Sequence, residues 1–211
     1  MASLTTVMFP GPAGRLEGLW KEADGRRRGG ALFAHPHPLH GGTLHSKVVY
    51  RAARELTAAG WETLRFNFRG VGVSAGRHDS GRGETEDFRA ALDEVERHAG
   101  LPIVAGGFSF GSAVALRAIA GDPRVAAYVG VGLPVATDSA APTPRPTVPA
   151  LFVVGENDTL APPDRLRDFV ADSGEIVVIG GADHFFQGRL DSLGEAIRSF
   201  LARLDPRRAK P

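Results

Sequence analysis

From about residue 30 to the C-terminus, short apolar runs alternate with stretches whose apolar residues recur at the 3.6-residue period of a helix. Ala31 to Ala34, Thr63 to Phe68, Ile103 to Phe108, Val125 to Val131, Ala150 to Val154 and Ile176 to Ile179 predict strands. Between them, Val48, Val49, Ala52, Ala53 and Leu56 stripe one helix, and Phe88, Ala91, Leu92 and Val95 stripe the next. Ser112 to Ala120 reads as a third. Another opens near Pro163, since proline suits a first helical turn. Leu190, Leu193, Ile197, Phe200, Leu201 and Leu204 stripe a closing helix. This alternation predicts an α/β fold, a mostly parallel central sheet with helices on both faces. Ahead of it, Thr5 to Phe9 and Arg15 to Lys21, split by Gly11-Pro12-Ala13-Gly14, predict an antiparallel hairpin at the sheet edge.

Fewer than twenty residues, many of them Pro, Ala or Thr, separate the run ending at Val131 from the run starting at Ala150. That is too little chain for a helical lid domain. Pro142 to Pro149 reads as a loop over the edge of the active site.

A chain of 211 residues can bury one substantial core, so residues 1–211 are expected to form a single domain. The formal charge of +1 points to no nucleic-acid or acidic partner. Arg26-Arg27-Arg28 and the tail Arg207-Arg208-Ala209-Lys210 are expected to be a solvated turn and a frayed terminus. With no Cys, a thiol nucleophile, a disulfide or a thiolate metal site is excluded. Met1 to Pro10 shows no basic region followed by a long apolar run, and no stretch approaches a membrane span. A cytoplasmic protein without membrane contact is expected; its oligomeric state is left open.

Candidate chemistry centres on Gly107-Phe108-Ser109-Phe110-Gly111. The apolar run before it and the Ala-rich helix after it place a G-x-S-x-G between strand and helix. There it forms a nucleophile elbow, a turn so sharp that only Gly fits beside the Ser. With 27 Gly in the chain a chance match is not rare, and Gly72-Val73-Ser74-Ala75-Gly76 is a second one. It lies in the polar, Gly-rich stretch from Gly70 to Gly83, with no strand abutting it and no helix expected to open directly on it. Ser109 is the stronger candidate.

A serine hydroxyl needs a base, usually His, oriented by a carboxylate. The strand ending at Val154 runs into Gly155-Glu156-Asn157-Asp158, which makes Asp158 the first choice of acid, with Glu156 and Asp183 as alternatives. The strand ending at Ile179 runs into Gly180-Gly181-Ala182-Asp183-His184, and His184 is the only His after Ser109. An oxyanion hole needs two backbone N–H donors. One is expected at Phe110 and one in His35-Pro36-His37-Pro38-Leu39, where the prolines cannot donate. His37 is preferred to Leu39. His35, His37, His40 and His45 also raise the idea of a metal, but the prolines stiffen the loop and no carboxylate nearby completes a familiar set. No metal and no cofactor are expected. Gly70 to Gly83 lacks the pattern of a phosphate-binding loop.

His35-Pro36-His37-Pro38 with Gly41-Gly42-Thr43, Arg65-Phe66-Asn67-Phe68-Arg69-Gly70-Val71-Gly72-Val73-Ser74 and the elbow together resemble small, lidless bacterial hydrolases of the α/β-hydrolase superfamily. Most of that group are described only as predicted esterases. The resemblance covers residue 30 to the C-terminus and implies an eight-stranded core, a triad of Ser109, Asp158 and His184, and oxyanion donors at Phe110 and His37. Relatives often carry Asp where Asn67 stands. The expected activity is that of a serine hydrolase on small carboxylic esters. Its shallow pocket would be flanked by Phe110, Leu39, Leu133, Phe185 and Phe186 and would favour short acyl chains. Thioesters, lactones, peptides, acyl transfer, or a silent binding protein on the same fold are the alternatives.

Overall fold

A computed structural model describes residues 4–135 and 143–204. The chain opens with β1 (Leu4–Gly11) and β2 (Gly14–Lys21), an antiparallel hairpin turning at Pro12-Ala13. β3 (Gly29–Ala34), α1 (Lys47–Ala58), β4 (Trp61–Phe66), α2 (Arg82–Ala99), β5 (Ile103–Phe108) and α3 (Phe110–Ile119) follow. The chain closes through β6 (Val125–Val131), β7 (Ala150–Gly155), α4 (Pro163–Val170), β8 (Glu175–Ile179) and α5 (Leu190–Arg203). The strands form one eight-stranded sheet in the order β1-β2-β4-β3-β5-β6-β7-β8. β1–β2 and β2–β4 pair antiparallel, and every later pair is parallel.

The two-residue period of a strand divides the core into two layers. In β3, Leu32 and Ala34 face one cluster while Ala31 and Phe33 face the other. The first layer is covered by α2, α3 and α4 through Phe88, Leu92, Val114 and Leu166. The second is covered by α1 and α5 through Val49, Leu56, Leu193 and Ile197. The central strands β3, β5, β6 and β7 are buried along their whole length, which explains their continuously apolar sequences. Among the described residues, no helix is long and apolar enough to cross a membrane.

Beyond shifts of one or two residues at other element ends, three features differ from the sequence expectation. β4 ends at Phe66 rather than Phe68: Asn67 still donates to the Glu17 carbonyl of β2, but the Phe68 N–H turns out of the sheet to the His35 ring. α2 opens at Arg82, directly on the Gly-rich stretch where no helix was expected. Its first turn is closed by Glu84, which accepts the N–H groups of Asp79 and Gly81, a capping arrangement built on a glycine. The described part of the 142–149 segment does not lie over the Ser109 end of the sheet. Returning from β6 to a parallel neighbour carries residues 143–149 to the opposite end, where β7 starts and where Arg145 donates to the Asp168 carbonyl in α4. Pro142 and the tail from Arg207 to Lys210 lie outside the described residues.

Candidate active site

Ser109 ends β5 and begins α3 with φ +53° and ψ −121°, a conformation L residues avoid. Two glycines make this turn possible. A Cβ on Gly107 would overlap the backbone of Gly111, and one on Gly111 would overlap the His35 carbonyl. The elbow is therefore a close approach of three backbone segments: the end of β5, the start of α3 and the loop after β3.

That packing also sets the N–H groups. Phe110 is the first residue of α3, so helix geometry leaves its N–H without an intrahelical partner. In the neighbouring loop, Pro38–His40 forms a 3-10 turn, and the Leu39 N–H is taken up by the His37 ring at 3.2 Å. Of the two candidates in this loop, Leu39 is thus spent on local structure. The His37 N–H has no partner among the described residues.

β7 and β8 are parallel neighbours, so the loops at their C-terminal ends emerge side by side. His184 Nε2 lies 2.9 Å from Ser109 Oγ, and its Nδ1 lies 2.7 Å from Asp158 Oδ2. All three are buried. Asp158 Oδ1 accepts the N–H groups of Leu160 and Ala161 at 3.0 and 2.8 Å, which leaves Oδ2 for the imidazole. With Asp158 ionised, Nδ1–H donates to it and Nε2 is free to accept the Ser109 proton.

The alternative acids are occupied elsewhere. Glu156 accepts the Gly181 N–H at 2.7 Å and ties the acid loop to the imidazole loop. Asp183 accepts from the N–H groups of Phe185 and Gln187. The second G-x-S-x-G is a latch. Ser74 Oγ donates to the Asn67 carbonyl and accepts from the Glu17 N–H, at 2.8 and 2.9 Å. Asn67 Oδ1 in turn accepts the Leu44 N–H and its amide donates to Glu17, so this network holds the loop after β3.

His35 belongs to the scaffold as well. Its Nδ1–H donates to the Pro36 carbonyl at 2.6 Å and its Nε2 accepts the Phe68 N–H at 3.1 Å. Burial is the main cause that lowers it to about 4, against smaller raising effects from Pro36 and Glu84, so the ring is neutral. With both nitrogens engaged, it is removed from any set of metal ligands drawn from this loop.

The mouth beside Ser109 has two sides. On the Phe110 side, His37 lies 4.5 Å from His40, 4.9 Å from His78 and 4.9 Å from Phe110, ring centre to ring centre. Partial burial holds His37 below the usual imidazole range, and the charges of His40 and His78 act the same way. On the other side Phe185 packs on His184 and Phe108 and is largely exposed.

The remaining pocket residues need correction. Phe186 is fully buried against Val48, Leu193 and Ile197 beneath α1 and α5, because its φ of +53° turns the side chain inward where Phe185 turns out. Leu133 is buried in the opposite layer, just after Gly132, which approaches His184. Leu39 is 70% exposed on the outside of its turn and forms rim rather than wall. Sequence reasoning missed the His78–Glu84 pair, whose 2.8 Å contact places a third imidazole at the mouth. Its only sequence signal was a His followed six residues later by a Glu inside a helix.

Comparison with known proteins agrees with this geometry. A family model described as "Serine aminopeptidase, S33" matches residues 37–146. An uncharacterised protein of Rickettsia prowazekii is 35% identical over 210 residues, 92% of this chain and 87% of that protein. An alpha-beta serine hydrolase homologue from Coxiella burnetii is 38% identical, covers 92% of this chain and 96% of its own, and superposes with a TM-score of 0.86. A Xanthomonas campestris serine hydrolase described as having no lid is 30% identical over 99% of this chain and 97% of its own, with a TM-score of 0.89. A strained serine between strand and helix, with no lid domain among the described residues and with relatives of this kind along nearly its full length, identifies the chain as a member of the α/β serine hydrolases.

Proposed function

We propose that the protein hydrolyses carboxylic esters with short acyl chains through Ser109, His184 and Asp158. The observation that carries this reading is the continuous hydrogen-bonded path from Ser109 Oγ through His184 to Asp158, at 2.9 and 2.7 Å. His184 Nε2 accepts the Ser109 proton as Oγ bonds to the acyl carbon, and the carbonyl electron pair moves onto oxygen. The N–H groups of Phe110 and His37 hold that oxyanion, and loss of one such donor typically costs about 10²–10³ in turnover. Collapse of the intermediate expels the alkoxide, which leaves as alcohol with the proton from His184. Water, deprotonated by the same imidazole, then attacks the acyl-enzyme and releases the acid. Asp158 keeps Nδ1 protonated and stabilises the imidazolium.

The character of the mouth supports ester over peptide. An aminopeptidase must hold a substrate ammonium, and the carboxylate of Glu84, one of those near the mouth, is buried with both oxygens bonded to the N–H groups of Asp79 and Gly81. The open rim of Phe185 and Leu39 supports small substrates, since it encloses no long chain. The test is kcat/KM on acetyl, butyryl and decanoyl p-nitrophenyl esters beside aminoacyl p-nitroanilides. Highest values on acetyl or butyryl esters are expected. Higher values on decanoyl esters would overturn the chain-length reading, and faster turnover of anilides would overturn the ester reading.

A further inference from the structure

The loops that carry His37 and His184 lead into the starts of α1 and α5, and a cavity of about 260 Å³ lies between those two starts. It is lined by His45, Lys47, Tyr50, Arg51, Arg54 and Leu190. Its charges are under-neutralised. Glu55 is shared by three guanidiniums, with Arg51 at 3.0 Å, Arg198 at 3.2 Å and Arg54 at 3.8 Å. Asp191 pairs with Arg51 alone, at 2.6 Å, and is itself almost fully exposed. The Lys47 ammonium has no carboxylate among the described residues, and it is exposed. Lys47, Arg51 and Arg54 thus line the cavity against two carboxylates, Glu55 and Asp191, and Arg198, outside the lining, draws on Glu55 as well.

The cavity wall is ordered as well as charged. The Arg65 guanidinium lies 5.5 Å from the centre of the Tyr50 ring and donates to the Leu44 carbonyl, which ties this wall to the loop after β3. A smaller adjoining cavity adds Lys21 beside Tyr50, Arg54 and Arg65, extending the basic strip down α1. Multiply charged oxyanions are what such a set of forked and point cations recognises.

We propose that this cavity is an anion subsite that takes a phosphate-class group carried by the substrate on the far side of its scissile acyl bond. The inference rests on the serine hydrolase reading for its connection to turnover, while anion binding itself does not. The subsite selects substrates by charge: Lys47 and Arg54 grip the oxyanion, and Tyr50 gives the linking portion an apolar surface.

The experiment uses a matched pair of thioesters, butyryl-coenzyme A, whose tail carries phosphates, and S-butyryl-N-acetylcysteamine, which lacks that tail. kcat/KM is measured for both on the wild type and on the double variant K47Q/R54Q, and pyrophosphate binding to Ser109→Ala is followed by calorimetry. The wild type is expected to prefer the phosphate-bearing thioester by at least ~10-fold through KM, with the preference falling as salt rises from 0.05 to 0.5 M. The double variant should lose that preference and bind pyrophosphate ~10-fold more weakly, with turnover of the small thioester unchanged. Equal kcat/KM for the two thioesters, or a preference that survives in the double variant, overturns the proposal. Pyrophosphate binding without any preference assigns the cavity to a free anion and overturns the substrate-borne group. If neither thioester is turned over, binding of butyryl-coenzyme A to Ser109→Ala, lost on adding K47Q/R54Q, still supports the subsite, and its absence refutes it.

Discussion

His35 offers a test of the scaffold beneath the site. The neutral ring bridges two loops, donating to Pro36 and accepting from Phe68, and a proton on Nε2 would set two donors against each other. Burial holds it at about 4, against 6.5 for a free imidazole. The unfolded chain therefore takes up the proton first as pH falls. The stabilisation from this group is complete above pH 6.5, is lost progressively down to about 4, and changes no further below that. The gap corresponds to a maximum of about 3 kcal/mol, at 1.36 kcal/mol per pH unit. That is a large share of the roughly 5–15 kcal/mol by which a domain is stable. His35→Gln keeps a donor and an acceptor but cannot titrate. Urea unfolding of both proteins by circular dichroism, from pH 7 to 4, cancels the carboxylates they share. The wild type should lose up to about 3 kcal/mol more than the variant over that range. Parallel curves within about 0.5 kcal/mol would refute the buried neutral ring.

Two further substitutions separate scaffold from chemistry. Ser74→Ala removes a buried hydroxyl that donates to Asn67 and accepts from Glu17, so unfolding should show a loss of about 1–3 kcal/mol while a fluorophosphonate still modifies Ser109; a folded variant that takes up no adduct would mean that Ser74 serves the reaction. Gly132→Ala puts a Cβ 3.0 Å from His184 Cε1 at a φ of +55°, so stability should fall by about 1–2 kcal/mol and kcat by at least ~10-fold; an unchanged kcat would show that the imidazole has room to spare.

Much of this architecture was legible because each layer has its own periodicity. The apolar runs of β3, β5, β6 and β7 and the stripes on α1 and α5 follow directly from burial on both faces of a parallel sheet. The juxtaposition of Ser109, Asp158 and His184 was legible because each lies in the turn or loop that leaves the C-terminal end of a strand, and parallel strands bring those ends together. What escaped depends on local geometry that composition conceals. The start of α2 is rich in Gly and acid, and becomes helical through side-chain bonds that Glu84 makes within the fold. Phe185 and Phe186 are identical in sequence terms, and only a left-handed φ decides which one faces the mouth. The two G-x-S-x-G matches are told apart by their partners: His184 for Ser109, Asn67 and Glu17 for Ser74.

Labelling with a fluorophosphonate, followed by mass spectrometry of the modified peptide, tests the central claim most directly. The probe reports an activated serine whatever the natural substrate is. One adduct is expected, on Ser109, lost in Ser109→Ala and strongly slowed in His184→Ala. An adduct on Ser74, or labelling that is as fast without His184, would contradict the account.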